Sequence, residues 1–424
     1  MSYLIRGGRL VDPATGLDAP RDLLIIEDRM VALGEAQPRG DTEVVEATGL
    51  IVCPGLIDMH VHLREPGFEH KETIPSGTAA AAVSGFSTVC AEPNTEPPVD
   101  SARRVADIVQ RARRGAAVRV YPKACLTQGQ AGVTPSDAAA LKSAGAIALS
   151  DDGEPVLDDD VMRRGLRQAG GAEMVVTTHC EESPASRDVR PWRTPYAAEA
   201  DLVRRDLRLV SEEGVRLHFS HVSMAESLEA IADARARGLP VTAEVTPHHC
   251  LISADDIPDD DPNFKVNPPL RARDDVEAVV AALVMGAIEV IASDHAPHAP
   301  QEKARGWDEA PFGVIGLETT LAVMLTAFVH SKRMALPDLL AKMTCNPARI
   351  LGIPAGRLAQ GAPADVTMID PDAEWVIDPR EFKSKGRNCP FAGWRVRGRA
   401  VGLFVGGRMV MRDGEPVTAE SQRT

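Results

Sequence analysis

Residues 50–67 read LIVCPGLIDMHVHLREPG, an apolar run that ends in two histidines, His60 and His62. Side chains two apart on a β-strand point to the same side, so the sequence predicts that both imidazoles converge on one point. Converging imidazoles are a common beginning of a metal site. An HxH pair alone is a weak signal, because such histidines are more often surface or hydrogen-bonded residues, and the rest of the chain must decide.

Seven further short apolar runs follow, separated by amphipathic stretches such as SARRVADIVQRARR. Eight strand–helix units in about 250 residues are typical of an α/β fold of the (β/α)8 TIM-barrel type. An open, doubly wound parallel sheet is the main alternative. The barrel is favoured because residues capable of chemistry follow most runs, as expected where one face collects all C-terminal strand ends. The eight runs are 50–60, 86–92, 118–124, 146–150, 173–179, 215–221, 241–246 and 288–293.

Both ends of the chain carry short alternating strand patterns that are broken by Gly, Pro and Asp and lack helical periodicity. The simplest arrangement is a small flanking β-sandwich domain built from both termini. We expect this composite β-domain to comprise residues 1–49 and 355–424, and the metal-dependent barrel to comprise residues 50–354. A helix stop signal at Gly352 and Pro354 marks the second boundary.

Composition and charge narrow the class of partner. The chain has 47 Lys and Arg residues against 61 Asp and Glu, a formal charge of −14, which argues against binding nucleic acid or an anionic membrane surface. No apolar stretch approaches the ~20 residues of a membrane span, and the N-terminus lacks a secretory signal. The seven cysteines are an odd number without CxxC spacing, which favours reduced thiols. We therefore expect a cytoplasmic protein that acts on a small molecule.

Candidate metal ligands follow five of the eight runs. Each has a common structural explanation when taken alone, such as a turn-capping aspartate or a buried histidine. Together, two carboxylates and four imidazoles suit two divalent ions, with zinc as the best fit and Mn or Co as possible substitutes. We predict that Asp151 bridges the two ions, and that Asp58 supports a ligand histidine or helps to bind metal. The six candidates are His60, His62, Asp151, His179, His221 and Asp294.

Several stretches together resemble the amidohydrolase superfamily, and specifically type I dihydroorotases, over nearly the whole predicted barrel. In that family the metal ligands correspond to the same six positions. Dihydropyrimidinases, hydantoinases and allantoinases usually bridge their metals with a carbamylated lysine after strand four, whereas this chain has Asp151 there and no lysine in AIALSDDG. The matching stretches are PGLIDMHVHLREPGFEHKETI, EPNTEPPVD, SDDGEP, HCEE, HVSMAES, VTAEVTPHH, FKVNPPLR and SDHAPHAPQEKARGWDEAPFG.

The resemblance implies a zinc-dependent dihydroorotase, which reversibly cyclises N-carbamoyl-L-aspartate to L-dihydroorotate in pyrimidine biosynthesis. Asp294 would be the catalytic proton carrier. The resemblance also implies a homodimer and a possible association with aspartate carbamoyltransferase. The alternatives are a hydantoinase-, dihydropyrimidinase- or allantoinase-type hydrolase and a non-catalytic subunit of aspartate carbamoyltransferase. The substrate-binding residues implied are Arg64, Asn94, Asn267 and His298.

Two features depart from the family pattern. Glu92 stands where the family usually has an apolar residue, commonly Met, so an extra carboxylate is expected near the site. Such a carboxylate would repel an anionic substrate if it pointed into the pocket. The link SPASRDVRPWRTPYAAEADLVRR, residues 183–205, is shorter than in relatives, which could change oligomer contacts or the pocket rim.

Overall fold

The computed structural model describes residues 2–34, 37–38, 40–181 and 197–417. Most of the short link, residues 183–196, therefore lies outside the described residues. The strands are β1 (Ser2–Asp12), β2 (Leu17–Ile26), β3 (Arg29–Leu33), β4 (Glu43–Glu46), β5 (Ile51–Pro54), β6 (Leu56–Val61), β7 (Phe86–Ala91), β8 (Arg119–Pro122), β9 (Ala148–Leu149), β10 (Val175–Thr178), β11 (Leu217–Phe219), β12 (Val241–Val245), β13 (Val290–Ile291), β14 (Val366–Val376), β15 (Arg395–Val405), β16 (Arg408–Arg412) and β17 (Glu415–Pro416).

Helices alternate with the central strands, as the amphipathic stretches predict. They are α1 (Ile74–Val83), α2 (Ala102–Gly115), α3 (Ala138–Ala144), α4 (Asp159–Gly171), α5 (Ala197–Glu213), α6 (Ala225–Ala236), α7 (Pro247–Leu251), α8 (Arg273–Val284), α9 (Pro300–Lys303), α10 (Leu317–Met324), α11 (Leu336–Ala341) and α12 (Cys345–Leu351), with a π-helix at Leu325–His330 and 3-10 turns at Gln128–Gln130, Ala254–Asp256, Pro262–Phe264 and Pro379–Glu381. Among the described helices, none is both long enough and apolar enough to cross a membrane.

The barrel is confirmed, with one parallel strand from each of the eight apolar runs in the described residues. Strands β6–β8 form one ladder and β9–β13 form another. Single parallel bridges join Ala124 to Leu149 and Val61 to His295, so the two ladders close on each other. This closure excludes the open doubly wound sheet, and it brings the carboxyl ends of all eight strands to one mouth.

The barrel strands are apolar on both faces because helices cover the outside and side chains fill the inside. All six residues of β7 are buried. The covering helices bury one face only, as in α2, where Val105 and Ile108 are buried among polar residues. Helix α4 is capped by Asp158, the residue before its first turn, whose carboxylate accepts a 2.8 Å hydrogen bond from the Val161 amide. Local capping and amphipathicity thus agree with the barrel.

Strands from both ends of the chain form one nine-stranded sheet beside the barrel, in the order β17-β16-β15-β14-β5-β1-β2-β3, with β4 paired to β1. The sequence analysis placed residue 50 onward in the barrel, whereas β5 lies in this terminal sheet, between β1 and β14. The first apolar run therefore contains two strands, β5 of the terminal sheet and β6 of the barrel, which are separated by Gly55. Every residue of both strands is buried, so no polar residue between them marks the boundary in the sequence.

Buried polar groups fasten the terminal sheet to the barrel. The Thr367 hydroxyl of β14 donates to the Gly85 carbonyl at 2.6 Å and accepts from the Leu56 amide at 3.3 Å. Arg119 makes a bidentate pair with Asp365, at 2.8 and 3.0 Å. These contacts hold the start of β6 and β8 against the sheet, which positions the opposite ends of the same strands.

Replacement of Gly55 by alanine should destabilise the protein, because an added Cβ would lie 2.5 Å from the Ser87 Cβ. We expect a loss of about 1 to 3 kcal/mol in the free energy of unfolding, the usual cost of overpacking a core. Urea denaturation followed by circular dichroism measures it. The matched control is Gly171→Ala at the exposed end of α4, where an added Cβ meets nothing within 4 Å. An equal effect of both substitutions would contradict the close packing at Gly55.

Candidate metal centre and active site

A cavity of about 180 Å³ opens at the carboxyl ends of the barrel strands. Pockets for drug-sized ligands usually measure roughly 300 to 1,000 Å³, so this cavity suits a small ring compound. Most of its lining residues are polar or charged. They are His62, Arg64, Asn94, Asp152, Gly153, His179, His221, Asn267, Asp294, Ala296, Phe312 and Gly313.

His60 and His62 converge as the strand pattern predicts, and each ring is fixed by a partner behind it. The His60 Nδ1–H donates to Glu244 Oε1 at 2.7 Å, and the His62 Nδ1–H donates to Asn94 Oδ1 at 2.9 Å. These bonds turn both Nε2 atoms, with their lone pairs, toward the centre of the mouth. Hydrogen bonds of this kind set the tautomer of histidines that bind metals.

The carboxylate that faces these histidines belongs to Asp152. Its Oδ1 lies 3.2 Å from His60 Nε2 and 3.8 Å from His221 Nε2. The sequence analysis assigned this position to Asp151, but the Asp151 carboxylate accepts hydrogen bonds from the amide and hydroxyl of Thr127 instead. Burial raises the pKa of Asp151 to about 6, and the bonds from Thr127 partly oppose this.

The difference between the two aspartates arises where β9 ends. This strand has only two residues, so the alternation of faces does not extend to the aspartates that follow. The Asp152 amide donates to the Ser150 hydroxyl at 3.1 Å, and the Glu154 amide donates to the Asp151 carbonyl at 3.0 Å. These local bonds form a turn that directs the Asp152 side chain into the mouth.

His179 and His221 form the opposite wall, with His179 Nδ1 only 2.9 Å from His221 Nε2. Burial lowers the pKa of His179 to about 3, and the neighbouring His221 adds to this effect, so the imidazole is neutral and can bind a metal. The Asn267 amide lies 3.1 Å from the other nitrogen, His179 Nε2. If that amide were rotated by half a turn, its Oδ1, which has no hydrogen-bond partner among the described residues, could accept a hydrogen bond from a proton on His179 Nε2.

Asp294 completes the cluster, with its Oδ1 3.1 Å from His62 Nε2 and 3.5 Å from His60 Nε2. Burial raises the pKa of the Asp294 carboxyl, but the interactions with the neighbouring His60 and His62 imidazoles outweigh it, and the net effect is to lower the pKa. The pKa of Asp152 is lowered in the same way, against burial, by His60, His221 and His62. Both aspartates are therefore ionised at neutral pH.

The arrangement fits divalent metal ions on two grounds. His60 Nε2 and Asp152 Oδ1 are buried and have no hydrogen-bond partner among the described residues, a costly state unless a cation binds there. Nitrogen and oxygen donors also converge closely enough to hold ions at two adjoining points, and this donor set suits zinc-type ions. The two groups are His60, Asp152 and His221, and His60, His62 and Asp294.

Three residues of the mouth hold a strained backbone. Arg64, His221 and Asp294 have positive φ angles of 59°, 34° and 45°. Such angles are uncommon for residues with a side chain and persist where surrounding contacts impose them, often at functional sites. The conformation occurs just after strand ends, where it directs the three side chains into the cavity.

Of the four predicted substrate-binding residues, three line the cavity and His298 does not. Arg64 and Asn267 line the cavity, and Asn94 does so while it also bonds His62 and Asp152. The half-buried Arg64 guanidinium has its pKa lowered by desolvation to about 10, so it stays positively charged at neutral pH. His298 lies behind Arg64, with a nitrogen 3.4 Å from the Arg64 Nη2.

The ring of His298 is engaged by the protein on both sides. Its Nε2–H donates to the Phe312 carbonyl at 2.7 Å, and its Nδ1 accepts from Lys71 at 3.4 Å. Direct contact with a ligand would require one of these bonds to open. In this structure His298 therefore buttresses Arg64 and the loop at Phe312.

Sequence reasoning missed two supporting residues and misplaced a third. Glu244 is the next-to-last residue of β12, where alternation alone could have indicated an inward carboxylate. Asn388 belongs to the C-terminal segment, and its amide donates to the carbonyls of Ala296 and Gly313 at 3.1 and 2.9 Å. No local pattern in the sequence connects residue 388 to these loops. Asp58 accepts from the backbone amides of His60 and Ser293 rather than from an imidazole.

The chain is similar to known dihydroorotases along nearly its whole length. A family profile described as "Dihydro-orotase-like" matches residues 49–189. The protein named "Dihydroorotase" from Pelotomaculum thermopropionicum is 45% identical, over 97% of this chain and 99% of that protein. The "Dihydroorotase" of Geobacter metallireducens is 44% identical, over 97% of this chain and 100% of that protein.

Solved structures of cyclic-amide hydrolases share the fold. The L-hydantoinase (dihydropyrimidinase) from Arthrobacter aurescens superposes with a TM-score of 0.91 at 25% identity, covering 98% of this chain and 97% of that one. The dihydropyrimidinase from Brevibacillus agri gives a TM-score of 0.89 at 23% identity, over 99% and 97% of the two chains. At the lower identity the likeness establishes the fold alone.

Replacement of Asp152 by asparagine should weaken metal binding by more than the roughly tenfold to hundredfold that loss of an outer partner of a metal site costs, because a carboxylate that directly faces His60 and His221 is removed. The matched control is Asp151→Asn, which keeps an oxygen to accept from the Thr127 amide and should retain the metal. Metal content after gel filtration and titration against a chelator of known affinity measure both. Loss of metal in the Asp151 variant alone would overturn the assignment.

Proposed function

This chain belongs to the dihydroorotase family, and we propose that it catalyses the reversible cyclisation of N-carbamoyl-L-aspartate to L-dihydroorotate with release of water. The reaction is a step of pyrimidine biosynthesis. One observation of the site carries the proposal: a charged, half-buried Arg64 lines a small cavity beside a metal-type donor set whose strand-four carboxylate is Asp152 rather than a lysine.

Arg64 accounts for recognition of an anionic substrate by an acidic protein. Dihydroorotate and carbamoyl aspartate both carry a carboxylate that a guanidinium can bind with two parallel hydrogen bonds. The Arg64 Nε–H is already directed to the Pro297 carbonyl at 3.3 Å, which orients the guanidinium plane. Asn94 and Asn267 then offer amide groups for the ring, and His298 supports the arginine from behind.

We propose that His60, His62, Asp152, His179, His221 and Asp294 hold two divalent ions, of which zinc suits the donors best and Mn or Co could substitute. Bound there, such ions would supply Lewis acidity, which can lower the pKa of water to about 7 and polarise a carbonyl. The tautomers set by Glu244 and Asn94 leave Nε2 of His60 and His62 free for this role.

Asp294 is the proposed proton carrier. In the hydrolytic direction its carboxylate accepts a proton from the attacking water, whose oxygen bonds to the ring amide carbonyl carbon. The bond between that carbon and the ring nitrogen then breaks, and Asp294 returns the proton to the leaving nitrogen. Cyclisation follows the same steps in reverse. The lowered pKa of Asp294 keeps its carboxylate ionised at neutral pH.

Two other functions fit less well. Hydantoin- and dihydropyrimidine-type hydrolysis is favoured by the shared fold, but their strand-four position usually carries a modified lysine and their substrates give Arg64 no carboxylate to bind. A non-catalytic subunit has no need for the donor set that converges at His60.

We also propose that the enzyme is cytoplasmic, which is supported by its seven cysteines, all of them free thiols. A homodimer and an association with aspartate carbamoyltransferase remain predictions from the family resemblance.

A comparison of substrates on one purified sample tests the function. We expect rapid cyclisation of carbamoyl aspartate and little hydrolysis of hydantoin or allantoin, with the metal content measured on the same sample. In Arg64→Gln, the KM for carbamoyl aspartate should rise at least about thirtyfold, since a charged contact worth about 2 kcal/mol or more is lost. Strong hydantoin turnover without any reaction of carbamoyl aspartate would refute the proposal.

A further inference from the structure

Glu92 and Lys123 form a fully buried ion pair beside the metal centre. Glu92 follows β7 and Lys123 follows β8, and both side chains have 0% exposure. The Lys123 ammonium donates to Glu92 Oε1, and it also donates to the Thr177 hydroxyl at 3.1 Å. Burying two charges is expensive, and well-packed apolar side chains can often replace such a pair without loss of stability. Packing alone therefore gives little reason for a charged pair here.

The position of Glu92 relative to His60 suggests a reason. Glu92 Oε1 lies 3.7 Å from His60 Nε2, the atom that faces the candidate metal position. The other oxygen, Oε2, is buried and has no hydrogen-bond partner in the part of the chain that the structure describes. Lys123 thus binds one oxygen of the carboxylate and leaves the other without a protein partner.

Glu92 is also separated from the substrate cavity. It is absent from the cavity lining, which includes Asn94, two residues further along the chain. A carboxylate placed here adds negative potential at His60 without facing an anionic substrate. The positive charge of Lys123 further limits how far that potential extends, because opposite charges at close range cancel at a distance.

We propose that Glu92 is a positioning residue for the metal centre: held by Lys123, it raises the negative potential at His60 Nε2 and so strengthens binding of a divalent cation there. The inference rests on the proposed metal site and deepens it. Relatives with methionine at this position would lack the contribution.

Titration of zinc against a competing chelator tests the proposal on wild-type protein and three variants. Glu92→Gln keeps the shape and removes the charge, and we expect its zinc affinity to fall about tenfold to a hundredfold, the usual effect of outer partners of a metal site. The double variant Glu92→Met/Lys123→Met keeps an apolar fill of similar volume, so it should fold and show the same fall.

The control for loss of any buried charge is Glu289→Gln. Glu289 is also buried and ion-paired, with Arg235 at 2.6 Å, but it precedes β13 and lies at the opposite end of the barrel. We expect wild-type zinc affinity in this variant. Zinc affinities within threefold of wild type in both Glu92→Gln and the double variant would overturn the proposal. Absence of zinc binding by the wild-type protein would instead refute the proposed function itself.

Discussion

Closure of the barrel is the constraint on which the remaining structure depends. The bridges from Ala124 to Leu149 and from Val61 to His295 complete the ring of strands. Once the ring closes, side chains from strand ends that are far apart in sequence must share one mouth, where most of them are buried. There, carboxylates and imidazoles face each other with unpartnered atoms at His60 and Asp152. Such a cluster is costly in the absence of a cation, so the fold and the chemistry of the site are linked by electrostatics.

A surrounding layer of residues gives this cluster its orientation. Glu244 and Asn94 fix the tautomers of His60 in β6 and of His62 just after it. His218 also contributes, since its Nε2–H donates to Glu244 at 3.1 Å from within the barrel wall. Asn388 extends the support to the loop beside Gly313 from the C-terminal segment. The site is therefore held by strands, by loops and by the segment that follows the barrel.

The alternation of side chains between the two faces of a strand predicted much of this arrangement, because this alternation continues wherever a strand is regular up to its last residue. That condition is met for His60 in β6. It fails after β9, which is too short to carry the alternation as far as Asp151 and Asp152, so the sequence selected the wrong one of two adjacent aspartates. The division of the first apolar run at Gly55 was hidden for a different reason, since both strands are buried. Asn388 could not be found because its contacts depend on tertiary structure alone.

We propose that the strand ends form a two-ion centre in which Asp152, and not Asp151, is the strand-four ligand. Anomalous X-ray diffraction from zinc-loaded crystals should show two ions in the mouth, one of them about 2.0 to 2.2 Å from both His60 Nε2 and an Asp152 oxygen, with Asp151 still bonded to Thr127. An Asp151 carboxylate turned away from Thr127 onto an ion, or no ion at His60, would contradict it.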